Sequence, residues 1–256
     1  MKSPIVVIGI GEMGSVFARG FLRTGHPVYP VTRDTDLAAI AKLLPSPELV
    51  LVAVAENTLH AVLEQMPAAW HSRLALLQNE LLPGDWQQYG YTNPTVISVW
   101  FEKKKGQDVK VLIPSPVYGP GAERLKASLG SLDIPARLLA DEDALLFELV
   151  VKNVYIITTN CAGLATGGTV NDLWANHREL AEAVAHEVIQ IQEALTGQSF
   201  AADKLIAGML EAFEGDPDHR CMGRSAPARL ARALQQADAA GLAVPRLREI
   251  TARHDA

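Results

Sequence analysis

A glycine-rich segment near the amino terminus carries the clearest chemical signal in this chain. The apolar, β-branched run 4–8 leads directly into Gly9-Ile10-Gly11-Glu12-Met13-Gly14, and a helical pattern follows over 15–24. At this spacing the first glycine permits a tight turn, the second lets the backbone approach a phosphate, and the third lets the helix pack on the strand. The free N–H groups of the helix N-terminus also attract anions. Five residues are therefore predicted to bind the diphosphate of a dinucleotide, rather than to form a purely structural turn: Gly9, Gly11, Glu12, Met13 and Gly14.

The end of the second predicted strand indicates which dinucleotide is bound. NAD sites usually end this strand with an acidic residue for the ribose 2′-hydroxyl, whereas strand 28–32 ends in Thr32 and continues with Arg33. An arginine suits a 2′-phosphate, and a threonine hydroxyl can donate to it. We therefore predict NADP (NADPH) as the cofactor. Because Asp34 and Asp36 follow closely, NAD remains an alternative, as does a solvated Arg33 without a ligand.

Lys152 is the candidate catalytic residue, because it interrupts a strongly apolar helical stretch. In one interpretation its ammonium group protonates a carbonyl oxygen as a hydride reaches the carbon. In the other its stem lies on the core and its head reaches water. The residues alone favour neither. Asn160 follows two helical turns later on a similar face, where its amide would orient a substrate.

The glycine loop is the first element of an alternating strand and helix pattern. Predicted helices over 15–24, 36–44, 57–66 and 120–129 are interspersed with seven predicted strands, 4–8, 28–32, 49–54, 74–77, 95–101, 109–113 and 136–139. The strands 95–101 and 109–113 are predicted to form a hairpin. Parallel strands of this kind bind ligands at their carboxyl ends, where Asn79 follows strand 74–77. The pattern predicts an α/β fold with a doubly wound Rossmann sheet.

The sheet pattern stops at about residue 140. Five helices are predicted beyond it, over 141–161, 177–195, 201–213, 226–240 and 245–252, with glycines 163, 167 and 168 ending the first. We therefore predict a dinucleotide-binding domain, 1–140, and a smaller all-helical domain for substrate binding and dimerisation, 141–256. A substrate cleft is expected between two such domains.

Composition narrows the function classes. The chain has 256 residues, of which 48% are hydrophobic and 20% charged, and a net charge of −6 that disfavours nucleic acid and anionic membranes as partners. No apolar run approaches the roughly 20 residues of a membrane helix. The first apolar run belongs to a strand, so we expect no secretory signal and a cytoplasmic location. Cys161 and Cys221 lack the spacing of a metal or redox site and are expected to be reduced thiols.

Two charged segments are given no metal-binding or nucleic-acid-binding role. Residues 216–221 include metal-capable side chains but lack ligand spacing, so we predict a loop without a metal, in which Arg220 or nearby Arg224 could meet a substrate carboxylate. The three lysines 103–105 are predicted to form the solvated tip of the hairpin.

Several of these features resemble a known family. The glycine loop, the segment 24–28 and Thr32-Arg33 resemble the opening of the 6-phosphogluconate dehydrogenase-like superfamily. Gln78-Asn79, the hairpin region 103–111 followed by Tyr118-Gly119-Pro120, the helical segment 148–160 and the segment 241–245 are similar to its ketopantoate reductase branch. The resemblance spans nearly the whole chain.

The resemblance implies reduction of a 2-keto acid by NADPH with a lysine as proton donor. Carried over by position, Lys152 is that lysine, Asn160 is the second asparagine of its helix, Asn79 lies near the nicotinamide, and Arg33 binds the 2′-phosphate. The chain departs from the family at three places: Ile156 in place of an asparagine, Arg224-Ser225 in place of a carboxylate, and Ala55-Glu56 in place of a phosphate-binding lysine.

These departures favour a 2-keto acid or small carbonyl compound other than ketopantoate. Two other functions remain open: a non-catalytic NADP(H)-binding regulatory protein, and an enzyme that reduces an imine or oxidises a hydroxy acid. A homodimer is a further expectation.

Overall fold

The structure is a computed structural model that describes residues 2–254. The chain divides into two compact units between Glu148 and Leu149. The functional division into a cofactor domain, 1–140, and a substrate domain, 141–256, stays a prediction.

The first unit is built on a seven-stranded sheet. Its strands have the order β2-β1-β3-β4-β5-β8-β9, and all neighbours are parallel except β5 and β8. The nine strands of this unit are β1 (Ile5–Ile8), β2 (Val28–Val31), β3 (Leu49–Val52), β4 (Leu74–Leu76), β5 (Thr95–Ile97), β6 (Phe101–Glu102), β7 (Lys110–Val111), β8 (Ser115–Tyr118) and β9 (Ala136–Leu138). The connecting helices are α1 (Glu12–Arg23), α2 (Leu37–Leu43), α3 (Leu59–Glu64), α4 (Pro83–Gln87) and α5 (Ala122–Gly130).

The central strands are apolar throughout because helices cover both faces of a doubly wound sheet. Every residue of β1 and β3 is buried. Helix α1 packs on the sheet through Phe17 and Phe21, both fully buried. The predicted α/β class with a Rossmann sheet is confirmed.

The prediction that strand 95–101 forms a hairpin with strand 109–113 is wrong for most of the first strand. β5 joins the main sheet and pairs with β8, so that only β6 and β7 form a short antiparallel hairpin. Strand β8 was not predicted, because Pro116 lacks an N–H donor and proline is rare inside strands. Here the carbonyl oxygen of Pro116 still accepts from the backbone N–H of Ser98 at 3.0 Å.

The β6–β7 hairpin is attached to helix α1 by an aromatic contact. The ring of Phe101 lies 6.1 Å from the ring of Phe17, centroid to centroid. Both side chains belong to the buried core of the first unit. The hairpin is therefore held against the helix that follows the glycine loop.

The rest of the chain is helical, as predicted. Its helices are α6 (Glu142–Thr166), α7 (Val170–Asn176), α8 (Arg178–Thr196), α9 (Ala202–Gly215), α10 (Ala226–Ala239) and α11 (Pro245–His254). Helix α6 continues beyond its predicted end through Gly163 and ends before Gly167 and Gly168, which have φ angles of +67° and +73°. Helix α7 was not predicted, because its seven residues hold too little periodic pattern.

Two buried polar contacts organise the second unit. The Asn153 amide on α6 donates to Gln192 Oε1 on α8 at 2.9 Å. The Glu187 carboxylate accepts from the backbone N–H groups of Arg246 and Leu247 at 2.8 and 2.9 Å, and so caps α11. A carboxylate at this end of a helix satisfies its free N–H groups and its dipole.

The expectation that no apolar run approaches the length of a membrane helix is wrong for helix α6, which among residues 2–254 is the one helix long and apolar enough to cross a membrane by length and composition. However, 72% of its most apolar window is buried inside the structure. The core helices of soluble proteins meet the same criterion, so its length and composition are weak evidence for a membrane span.

Cys161 and Cys221 are buried and form no disulfide in the part of the chain that the structure describes. Burial raises the pKa of the Cys221 thiol from 9.0 to about 11, and the charge of Asp172 adds to the shift. A raised pKa means that the native protein holds the proton more tightly than the unfolded chain does. The protonated Cys221 thiol therefore adds to the free energy of unfolding. This contribution is complete below pH 9.0 and is lost as the pH rises towards about 11.

We therefore expect the stability of the wild-type protein to fall more steeply above pH 9 than that of Cys221→Ala. The extra loss in the free energy of unfolding should be about 2 kcal/mol by pH 11. Urea denaturation of both proteins across this pH range measures it. Parallel curves would show that Cys221 titrates alike in the folded and unfolded chain.

Candidate functional site

The carboxyl ends of three neighbouring strands bring the predicted cofactor residues to one edge of the sheet. Ile8 of β1 is in register with Val31 of β2 and Val52 of β3. The backbone N–H of Gly9 donates to Val31 at 2.9 Å, and that of Ala53 donates to Ile8 at 2.7 Å. The loops after all three strands therefore begin side by side, where open parallel sheets bind ligands.

A side chain at Gly9 or at Gly14 would disrupt the backbone of the glycine loop. Gly9 has a φ angle of +93°, and a Cβ atom there would lie 2.7 Å from the carbonyl oxygen of Ala53. A Cβ atom on Gly14 would lie 1.9 Å from the carbonyl oxygen of Gly9. At Gly11, by contrast, a Cβ atom would meet no other atom within 4 Å. The loop is thus tightly folded on the protein side and open at Gly11.

The start of α1 offers backbone donors to a ligand. Gly11 is the residue that precedes the first turn, and no side chain caps the helix there. The N–H groups of the first turn, including those of Glu12 and Met13, have no acceptors within the helix. This loop can therefore bind an anion such as a diphosphate through its backbone.

The segment after β2 forms a turn that leaves Arg33 on the surface. The backbone N–H of Thr32 donates to the Thr35 hydroxyl at 3.1 Å, and the two threonine hydroxyls lie 3.2 Å apart. Arg33 follows Thr32 in this turn and is exposed. The Asp36 carboxylate accepts from the N–H groups of Ala38 and Ala39 at 2.9 and 3.2 Å. Asp36 therefore serves as the N-cap of α2, which weakens the case for it as a ribose ligand.

Asn79 lies at the same edge, half-buried just after β4. Its neighbour Gln78 is buried and was given no role from the sequence. The Gln78 amide donates to the carbonyl oxygens of Val52 and Val54 at 2.8 and 3.2 Å. Gln78 thus ties the end of β4 to the loop after β3 and positions Asn79 beside it. The position of the Gln78 amide directly after an apolar strand could have indicated this role.

Lys152 is half-buried on α6 and lies beside an aromatic ring. Its Nζ atom is 5.5 Å from the centroid of the Tyr155 ring, a cation–π distance. The Tyr155 ring in turn contacts Phe213 and His219, with centroids at 5.8 and 6.3 Å. The ammonium group therefore has an aromatic neighbour that is itself fixed by packing.

Asn160 is buried and is held at both ends of its amide. Its nitrogen donates to the carbonyl oxygen of Ile156 at 2.8 Å, and its oxygen accepts from Arg229 of α10 at 3.3 Å. Arg229 is buried as well. The sequence did not single out Arg229. Its position three residues after Ala226, on the apolar side of a helix, could have identified Arg229 as a buried residue.

The loop 216–221 buries its first and last residues, Asp216 and Cys221, and exposes Pro217, Asp218 and Arg220. Asp216 is 4% exposed, and its carboxylate lies 3.4 Å from Nδ1 of His219. A β-bridge joins Arg220 to Thr169. Within residues 2–254 no group of three or more histidine, cysteine or acidic side chains could hold a metal ion.

The interpretation of 103–105 as a solvated hairpin tip is wrong for Lys103. Its side chain is 20% exposed, and its Nζ atom lies 3.3 Å from Oε2 of Glu12 in the glycine loop. The reason is tertiary, because the hairpin is packed on α1. Lys104 and Lys105 are exposed.

No family model and no curated protein matches the chain, but solved structures share its fold. 2-Dehydropantoate 2-reductase from Methylococcus capsulatus has a TM-score of 0.71 at 15% identity, over 98% of this chain and 96% of that one. Dimeric ketopantoate reductase from Staphylococcus aureus has a TM-score of 0.67 at 16% identity, over 98% and 97%. D-mandelate dehydrogenase in complex with NADH has a TM-score of 0.66 at 15% identity, over 98% and 99%. The chain therefore has the fold of the ketopantoate reductases over nearly its whole length, as its sequence motifs predicted.

Proposed function

We propose that this protein is an NADP-dependent oxidoreductase that reduces a small carbonyl compound of the 2-keto acid class. The observation that carries the proposal is the glycine loop, which is uncapped, open at Gly11 and placed at the shared edge of three parallel strands. The fold supports it, because the structural neighbours include a 2-dehydropantoate reductase and a dehydrogenase of mandelate, a 2-hydroxy acid.

The residues at the sheet edge would hold the cofactor. Backbone N–H groups of the glycine loop would bind its diphosphate, and Asn79 would lie near its nicotinamide. Arg33, with Thr32, would bind the 2′-phosphate that distinguishes NADPH from NADH. The bound cofactor supplies the hydride.

Lys152 would donate the proton that completes carbonyl reduction. An ammonium group near the carbonyl oxygen stabilises the negative charge that develops there and then neutralises it. Asn160 would orient the substrate, in an amide geometry set by Arg229. We propose a substrate other than ketopantoate, because Ile156 presents an alkyl group where the resemblance implies an asparagine.

The first test is direct. We expect NADPH fluorescence titration to show saturable binding, and a panel of 2-keto acids to include one that oxidises the bound NADPH. Light scattering on the same sample tests the proposed homodimer, which is suggested by the dimeric neighbour from Staphylococcus aureus. Failure to bind either reduced nicotinamide nucleotide would reject the proposed function.

A second candidate function is a non-catalytic NADP(H)-binding regulatory protein. Two observations favour it: Ile156 stands in the candidate catalytic helix, and Ser225 precedes α10 where the resemblance implies a carboxylate. Tight NADPH binding without oxidation by any member of the panel would favour this alternative.

The choice between NADPH and NADH depends on Arg33. We expect Arg33→Ala to weaken NADPH binding by about 1.5–3 kcal/mol, the scale of a charged hydrogen bond, and to leave NADH binding nearly unchanged. Isothermal titration calorimetry with both nucleotides measures this difference.

Arg23→Ala is the matched control for Arg33→Ala. It removes the same charge from an exposed site at the last turn of α1, the end away from the glycine loop. Neither affinity should change in this variant. Equal losses for both nucleotides in Arg33→Ala would contradict the assigned role.

A further inference from the structure

The glycine loop carries an acidic side chain at a place where an anion is proposed to bind. Glu12 is the first residue of α1, and its carboxylate is 45% exposed. A carboxylate here is favourable for the empty protein, because it meets the positive end of the helix dipole. For a bound diphosphate the same carboxylate is unfavourable, because like charges repel at short range. A positive charge close to Glu12 would offset this repulsion.

Lys103 provides that charge from the β6–β7 hairpin. Its Nζ atom lies 3.3 Å from the Glu12 carboxylate and donates to the carbonyl oxygens of Lys104 and Gln107 at 2.9 and 2.5 Å. A lysine at a hairpin tip would ordinarily extend into water, as its exposed neighbour Lys105 does. The side chain of Lys103 is instead folded back, and its ammonium group is held beside Glu12.

The position of this charge is set by the fold of the first unit. Phe101, two residues before Lys103, packs on Phe17 of α1. The hairpin that carries the lysine is therefore attached to the helix that carries Glu12. The Lys103–Glu12 pair joins two elements that the hydrophobic core already holds together.

We propose that Lys103 is a positioning residue of the cofactor site, which neutralises Glu12 so that the glycine loop can accept a dinucleotide diphosphate. This inference rests on the proposed function.

A double-mutant cycle with NADPH as the probe tests the inference. We expect Lys103→Ala to raise the Kd on the order of tenfold, because it leaves the Glu12 charge beside the diphosphate. Glu12→Gln alone should lower the Kd, since it leaves a cation at the site. The double variant Glu12→Gln/Lys103→Ala should bind close to the wild-type affinity. The loss in Lys103→Ala should also shrink at high salt, because salt screens exposed charges.

Lys105→Ala is the matched control, since it removes the same charge from the same hairpin at an exposed position. Its Kd should equal that of the wild type. If the double variant binds as weakly as Lys103→Ala, Lys103 acts by holding the hairpin or by touching the ligand, and the inference is overturned. An unchanged Kd in Lys103→Ala overturns it as well. A wild-type protein that binds no NADPH would instead reject the proposed function, and this inference with it.

Discussion

Replacing Lys152 by alanine is expected to lower kcat for carbonyl reduction by about 10²–10⁴-fold and to leave the Kd of NADPH nearly unchanged. The physical reason is that a proton donor acts in the transition state, whereas the proposed cofactor residues lie in the first unit of the chain. Steady-state kinetics with the best substrate of the 2-keto acid panel, together with NADPH titration, measures both quantities.

Lys152→Met separates the two interpretations of this lysine. Methionine keeps an unbranched apolar stem but has no ammonium group, so it preserves packing and removes the proton donor. If the stem alone matters, Lys152→Met retains the wild-type rate. If the ammonium group is the donor, Lys152→Met is as slow as Lys152→Ala. Lys204→Ala, at an exposed position on α9, controls for the loss of a lysine and should keep full activity.

Adding one methyl group to the glycine loop should weaken NADPH binding at Gly11 and lower the free energy of unfolding at Gly14. Gly11→Ala places its Cβ atom in open space, so we expect stability to change by less than about 1 kcal/mol. The same methyl group occupies the face where the diphosphate is proposed to approach, and should raise the Kd of NADPH by about 10–100-fold. Gly14→Ala places its Cβ atom 1.9 Å from the carbonyl oxygen of Gly9. That overlap should lower the free energy of unfolding by about 3 kcal/mol.

Urea denaturation and NADPH titration of both variants check this contrast. A folded, stable Gly11→Ala protein that binds NADPH as the wild type does would show that no ligand approaches the loop at Gly11. A Gly14→Ala protein as stable as the wild type would mean that the loop backbone shifts easily, which the lack of room for even a Cβ atom between Gly9 and the Ala53 carbonyl group argues against.

The elements around the candidate cofactor site were predictable because their signals are local. A buried strand, a glycine loop and an amphipathic helix each have a residue pattern of their own, and the three follow one another within the first 24 residues. The position of Asn79 at the carboxyl ends of the strands was predictable for the same reason, since parallel strands present these ends on one side of the sheet. The contacts of Gln78 and Lys103 were not predictable, because each joins its residue to another strand or helix.

Strand β8 illustrates the opposite case. Its sequence, Ser-Pro-Val-Tyr, argues locally against a strand in the middle of a sheet. It pairs antiparallel with β5 and parallel with β9, so its place is decided by its partners. The predicted hairpin joined neighbouring apolar segments, and only tertiary pairing shows that β5 belongs to the larger sheet.

The sequence by itself determined the glycine loop, the strand and helix that flank it, and the change from a sheet to helices, because these follow from short-range backbone preferences and hydrophobic periodicity. Tertiary structure alone decided that Asn160 is held by Arg229, 69 residues away, and that Lys103 lies against Glu12. Such contacts join distant parts of the chain, and no local pattern encodes which charged or polar groups burial brings together.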